Sequence, residues 1–181
     1  MIPFSAEPDG ITARLTSDEA AILRDLAGQL IEMLADRVGE TGGNPADVLL
    51  AQLGIGGGES MPLDPALARL LPDAYRGDDE AASEHRQLTE RGLVERKVGN
   101  AQLVRASLES AEHPVVVRLD ARGVQAWLRT LTDLRLTIAA RLEIEEDGDE
   151  GRADDEADLA LLAVYDWLGY LQGTLVEVID V

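Results

Sequence analysis

The stretch RQLTERGLVERK at 86–97 gathers Arg86, Arg91, Arg96 and Lys97 within twelve residues. Cations at that density bind anions, either the phosphates of a nucleic acid or the carboxylates of a protein. Lys97 is the only lysine of a chain whose formal charge is -19. On a straight helix, at about 100° per residue, Arg86 and Lys97 share one face, Arg91 and Arg105 another, and Arg96 points elsewhere. Glu90 and Glu95 stand four residues after Arg86 and Arg91, which offers each of those arginines a local partner. A helix that reads DNA leaves its arginines unpaired on one side, and single-strand binders add aromatics to stack on bases. Aromatic residues make up only 3% of this chain. The four cations are therefore candidates for docking acidic protein surface, the chain's own or a partner's, and nucleic acid is disfavoured.

The remaining chemistry-bearing residues are sparse. The two histidines, His85 and His113, are isolated, and no His-Glu-x-x-His or similar ligand set exists. Without cysteine there is no thiolate nucleophile, disulfide or thiol switch. No serine sits in a strand-to-helix elbow with a base in view. The run Gly54-Ile55-Gly56-Gly57-Gly58 lacks the preceding strand and following lysine of a phosphate loop, and reads as a linker over 54–62. The segment EIEEDGDEGRADDEAD, 143–158, holds ten acids against one arginine but misses the ligand spacing of a calcium loop. It reads as a solvated, flexible loop. No catalytic, cofactor-binding or metal-ligating residue is expected, and no cofactor.

Arg135 is the one charged side chain placed inside an apolar helical stripe, among Leu128, Leu131, Ile138 and Leu142. A buried cation needs a carboxylate, because an unpaired buried charge is costly. Asp166, alone in an apolar helix, is the candidate partner, which makes Arg135–Asp166 a candidate buried ion pair.

These residues need elements to position them. A short strand at 11–15 leads into Thr16 and Glu19, the spacing of a capping box, and then an amphipathic helix over 17–38. NPADVLLAQL and DPALARLL are short helices, each with proline at the first helical position. Residues 78–110 read as a helix that Gly92 and Gly99-Asn100 could kink. PVVVRL, 114–119, is a second strand, capped by Asp120 into another amphipathic helix. A last helix spans 157–179 and is apolar nearly all round, so it must be covered on both sides. ITARLTSDEAAILRDL and VVVRLDARGVQAWLRTL repeat one pattern of strand, Arg-Leu, cap and helix, which predicts that the two strands pair. The expected fold is mainly α, a compact helical bundle of about four longer and two short helices with a minor two-stranded β ribbon.

At 181 residues with 45% hydrophobic and 28% charged content, the chain fits one globular domain, 1–181. Residues 1–78 carry net -8, 79–142 net +1 and 143–181 net -12, so a near-neutral middle lies between acidic arms. A polyanion repels a chain of this overall sign. No stretch approaches roughly 18 unbroken apolar residues, and MIPFSAEPDG is not a signal peptide. A cytoplasmic protein without membrane partners is expected.

Three blocks carry a family resemblance: DPALARLLPDAYRGDDEAASEHRQLTERGLVERK (64–97), VRLDARGVQAWLRTLTDLRLTIAARLEIEED (117–147) and VYDWLGYLQGTLV (164–176). In order and phrasing they resemble a family of actinobacterial proteins catalogued as a domain of unknown function, number two thousand and seventeen in that series. The resemblance implies no catalytic residues. It implies a link to oxidative-stress-responsive transcription regulation through partner proteins of the transcription machinery. A disulfide switch cannot operate here, because the chain has no cysteine.

The function expected is that of a non-enzymatic regulatory or adaptor protein acting by protein–protein contact, as a homodimer through the last helix. The alternatives are a DNA-binding transcription factor using the basic middle helix, and a small hydrolase or metal-dependent enzyme.

Overall fold

The computed structural model describes residues 3–8, 10–39, 60–74, 77–109, 114–146 and 151–179. Its elements in chain order are β1 (Phe4–Glu7), β2 (Gly10–Leu15), α1 (Ser17–Gly39), α2 (Pro65–Leu70), α3 (Asp79–Ser107), β3 (Val115–Leu119), α4 (Ala121–Arg141) and α5 (Glu156–Ile179). The class is mainly α, as expected. The expected short helix over 44–53, most of the glycine-rich linker and His113 lie outside the described residues.

The two predicted strands do pair, antiparallel, with Ile11 opposite Leu119, Ala13 opposite Val117 and Leu15 opposite Val115. Alternation puts Ala13, Leu15, Val115, Val117 and Leu119 into the core, while Arg14 and Arg118 face out. The ribbon has a third strand, and this corrects the expected two. β1 pairs β2 antiparallel and leaves β2 central in the order β1-β2-β3. FSAE is too short and too mixed to announce itself; its pairing with β2 and the burial of Phe4 make it a strand. Gly10 closes the hairpin with φ of +138°, and a Cβ there would stand 2.7 Å from the Leu119 carbonyl oxygen, so only glycine fits.

Local capping sets the helix starts. The Glu19 N–H donates to Thr16 Oγ1 at 3.2 Å and the Thr16 N–H to Glu19 Oε2 at 2.7 Å, a reciprocal box. Asp64, Asp78 and Asp120 accept from backbone N–H groups at the starts of α2, α3 and α4. α3 runs unbroken for 29 residues, through Gly92 and Gly99. Its packing against both α1 and α4 outweighs the roughly 1 kcal/mol that each mid-helix glycine costs. α4 ends with Glu143 at φ 54°, and the Ile144 N–H returns to the Ala139 carbonyl at 2.9 Å. This is a Schellman stop built on a non-glycine residue.

α4 is the central element. It touches α2, α3 and α5 along its length and meets α1 and β3 as well, while α1 packs chiefly on α3. The core between them includes Leu23, Leu30, Val94, Trp127, Leu131 and Leu171. Phe4 meets Trp127 edge-on at 5.6 Å, and the indole N–H donates to Ser107 Oγ at 3.1 Å, which satisfies the one polar atom of that ring.

Candidate functional site

α3 carries the four cations, and the structure spends most of them on the fold. Arg86 is buried and paired with Asp73, in the segment between α2 and α3. Lys97 crosses to α4, where its Nζ stands 2.5 Å from Asp133 Oδ1. Arg91 pairs with Glu95 at 3.2 Å, the i,i+4 contact its spacing suggested. Glu90, also buried, accepts from Arg37 Nε of α1 at 2.9 Å, and Arg37 donates further to the Ser60 carbonyl. Of the two expected targets, the chain's own acidic surface takes Arg86 and Lys97, which removes them from the candidate partner-binding set. Arg86 and Lys97 hold α3 to its neighbours, because a cation taken largely out of water is costly unless it is paired. Arg96 alone of the four is exposed with no carboxylate paired to it among the described residues.

Arg96 opens onto a pocket of about 320 Å³ between α3 and α4. Arg96, Lys97 and Asn100 line it from α3, and Arg129, Thr132 and Asp133 from α4. Leu93 adds an apolar wall. Arg129 is exposed and, like Arg96, has no carboxylate partner among the described residues. Asp133 is buried, and its second oxygen, Oδ2, has no hydrogen-bond partner. Burial pushes the Asp133 carboxyl above its ordinary range, although the Lys97 ammonium pulls it back. The only shift of opposite sense among the described carboxylates is at Asp64. There burial is outweighed by the Arg141 guanidinium and the N–H groups of Ala66 and Leu67, which hold the carboxyl below its ordinary range.

Arg135 is partly buried, as its place in the apolar stripe predicted, but Asp166 is not its partner. Its guanidinium donates to Gln172 Oε1 and to the Tyr165 hydroxyl, both at 3.1 Å. It lies 4.7 Å from the Tyr165 ring centroid. Asp166 is exposed, one residue round the helix from Tyr165. The face of α5 that meets α4 carries Tyr165, Leu168 and Gln172, so the cation is met by neutral acceptors and a π-face instead of a charge.

Elsewhere the predicted chemistry is thin. His85 is partly exposed, with Thr89 Oγ1 3.2 Å from its Nδ1. Among the described residues no group of three or more histidine, aspartate or glutamate side chains converges as metal ligands would.

α5 is the second notable surface. Leu168, Leu171, Thr174 and Leu175 are its buried residues, while Leu159, Tyr170, Val176 and Ile179 are large, apolar and exposed. By length and hydropathy it is also the one described helix that could cross a membrane. No unbroken apolar run announces this, because Asp166 and neutral Gly, Thr and Gln residues interrupt the span.

Sequence comparison places this architecture. The family model described as a domain of unknown function (DUF2017) matches residues 1–179. The chain belongs to this family. A relative from Mycobacterium tuberculosis, named oxidative stress regulator AosR, is 35% identical over 177 residues, covering 91% of this chain and 80% of its own. The protein of the same name from Mycobacterium bovis matches to the same extent. No solved structure matches the chain.

Asp73, Arg37, Asp133 and Arg129 are the site residues that the sequence did not single out. Arg37 and Glu90 are 53 positions apart, and Lys97 and Asp133 are 36 apart, so no local spacing marks them. The available signal was periodicity. Asp133 stands between Thr130 and Leu134, on the buried side of α4.

Proposed function

We propose that this protein is a non-enzymatic regulator in the oxidative-stress response that works by protein–protein contact. The outward face of α5 is its contact surface, and a second copy of the chain is the occupant. The carrying observation is that α5 stays apolar where it leaves the core, at Leu159, Tyr170, Val176 and Ile179. Large apolar side chains left exposed along one helix point to an interaction site. Between Leu159 and Ile179 the helix bears two charges, Asp166 and Glu177, so two copies can pair along several turns with two acidic residues each to accommodate. The stress-response part rests on the name carried by the mycobacterial relatives. A cytoplasmic location, and a transcription-machinery partner as the family resemblance implies, belong to the same proposal.

The DNA-binding alternative loses support once Arg86 and Lys97 are committed to Asp73 and Asp133.

Light scattering on the full chain at micromolar concentration and physiological salt tests the contact. The expected species is a dimer. Tyr170→Glu combined with Val176→Glu should give a monomer with an unchanged melting temperature, since both side chains are exposed. A monomeric wild type overturns the second-copy assignment. A monomer that co-sediments with lipid vesicles assigns the face to a bilayer instead.

A further inference from the structure

We propose that the groove between α3 and α4 is a binding site for a small organic phosphate, with Arg96 and Arg129 as the pair that holds its anion. This site is separate from the α5 surface and does not depend on it.

Three observations carry the proposal. The first is shape. The pocket, of about 320 Å³, lies at the lower end of the range that small-molecule sites occupy, and two rigid helices form it without loops. The second is charge. The lining holds Arg96, Lys97 and Arg129 against Asp133. Lys97 and Asp133 cancel each other at 2.5 Å, and this leaves two guanidinium groups, one from each helix, facing a common concavity. The chain as a whole is at -19, so this local excess of two positive charges runs against its overall sign. The third is composition. Asn100 brings an amide, and Leu93 an apolar wall.

A phosphate monoester fits that set. It carries close to two negative charges at neutral pH and three acceptor oxygens, which match two planar, multi-donor guanidinium forks. Its organic part has Leu93 to lie against. A monocarboxylate leaves one arginine without a counter-charge. The Lys97–Asp133 pair acts as a fixture of the site. It ties α3 to α4 across the groove and neutralises the ammonium, which leaves the two guanidinium groups as the free charge.

The test uses the full chain with phenyl phosphate, inorganic phosphate and benzoate as probes. Binding is followed by calorimetry and by amide chemical shifts. Phenyl phosphate should bind saturably at one site, more tightly than inorganic phosphate or benzoate, and more weakly as salt rises. Arg96→Gln and Arg129→Gln should each weaken it at least tenfold. Arg105→Gln, on the same helix but outside the pocket, should leave it unchanged. Both pocket arginines are exposed, so the melting temperatures of their variants should match wild type and separate loss of binding from loss of fold. No saturable binding of phenyl phosphate, or binding that survives both substitutions, overturns the assignment.

Discussion

Lys97 Nζ lies 2.5 Å from Asp133 Oδ1, so the only lysine in the chain forms a tie between α3 and α4. The Asp133 side chain is 5% exposed and keeps one oxygen without a partner. The pair therefore stands near the limit at which desolvation cancels attraction. Lys97→Met leaves the carboxylate buried alone and should cost about 3–5 kcal/mol in urea denaturation at pH 8. The loss should shrink at pH 5. Burial already raises the Asp133 carboxyl above its ordinary 3.8, and without Lys97 it rises further. The folded state then holds the proton more tightly than the unfolded chain, so falling pH favours folding. Adding Asp133→Asn to Lys97→Met should recover part of the loss at pH 8.

Glu90 and Arg91 are neighbours in sequence with different roles. Glu90 is buried and bonded to Arg37 of α1, whereas Arg91 makes a surface pair with Glu95. Glu90→Ala should cost about 3–5 kcal/mol, because it strands the largely buried Arg37 guanidinium. Arg91→Ala should cost less than about 0.5 kcal/mol. Equal losses in guanidinium unfolding would show that the α1–α3 tie carries nothing special.

Arg135 tests how a partly buried cation is held without a carboxylate. Tyr165→Phe removes the hydrogen bond at 3.1 Å and keeps the ring 4.7 Å below the guanidinium. Its cost should be about 1 kcal/mol. Tyr165→Leu loses the ring as well and should cost about 1 kcal/mol more by thermal denaturation. Asp166→Asn should have no measurable effect, which would separate the observed geometry from an Arg135–Asp166 pair.

Two backbone positions should respond in opposite directions. Glu143 holds φ at 54°, where glycine is more at ease, so Glu143→Gly should raise stability by up to about 1 kcal/mol. Gly10→Ala must both adopt φ near +138° and meet the Leu119 carbonyl. It should lower stability by more than about 1 kcal/mol, with the melting temperature falling accordingly.

The local features were legible because their causes are local. Thr16 with Glu19, Asp64 before Pro65 and Asp120 before α4 mark helix starts through bonds between residues two or three positions apart. The repeated strand, Arg-Leu, cap and helix pattern foretold that β2 and β3 pair, since equal halves with equal apolar alternation can align. The apolar excess of α5 was equally plain, as hydropathy is a property of the chain alone.

Long-range partners were not legible. Sequence spacing placed Arg86 and Lys97 on one face of α3, and both turn out to be bonded across the fold, to Asp73 and Asp133. It placed Arg135 in an apolar stripe and supplied a charge, Asp166, where the structure supplies Tyr165 and Gln172. Any of the surplus acids could have answered any of these cations, and proximity alone selects among them. β1 became a strand only through β2, which offers it a hydrogen-bonding edge. The sequence alone thus determined the helical class, the caps, the paired strands and the acidic balance. Tertiary packing decided which cations hold the fold together and brought two others, Arg96 and Arg129, to the lining of one groove. Burial compels a charge to find polar or charged partners, and which side chains are buried depends on how the helices meet.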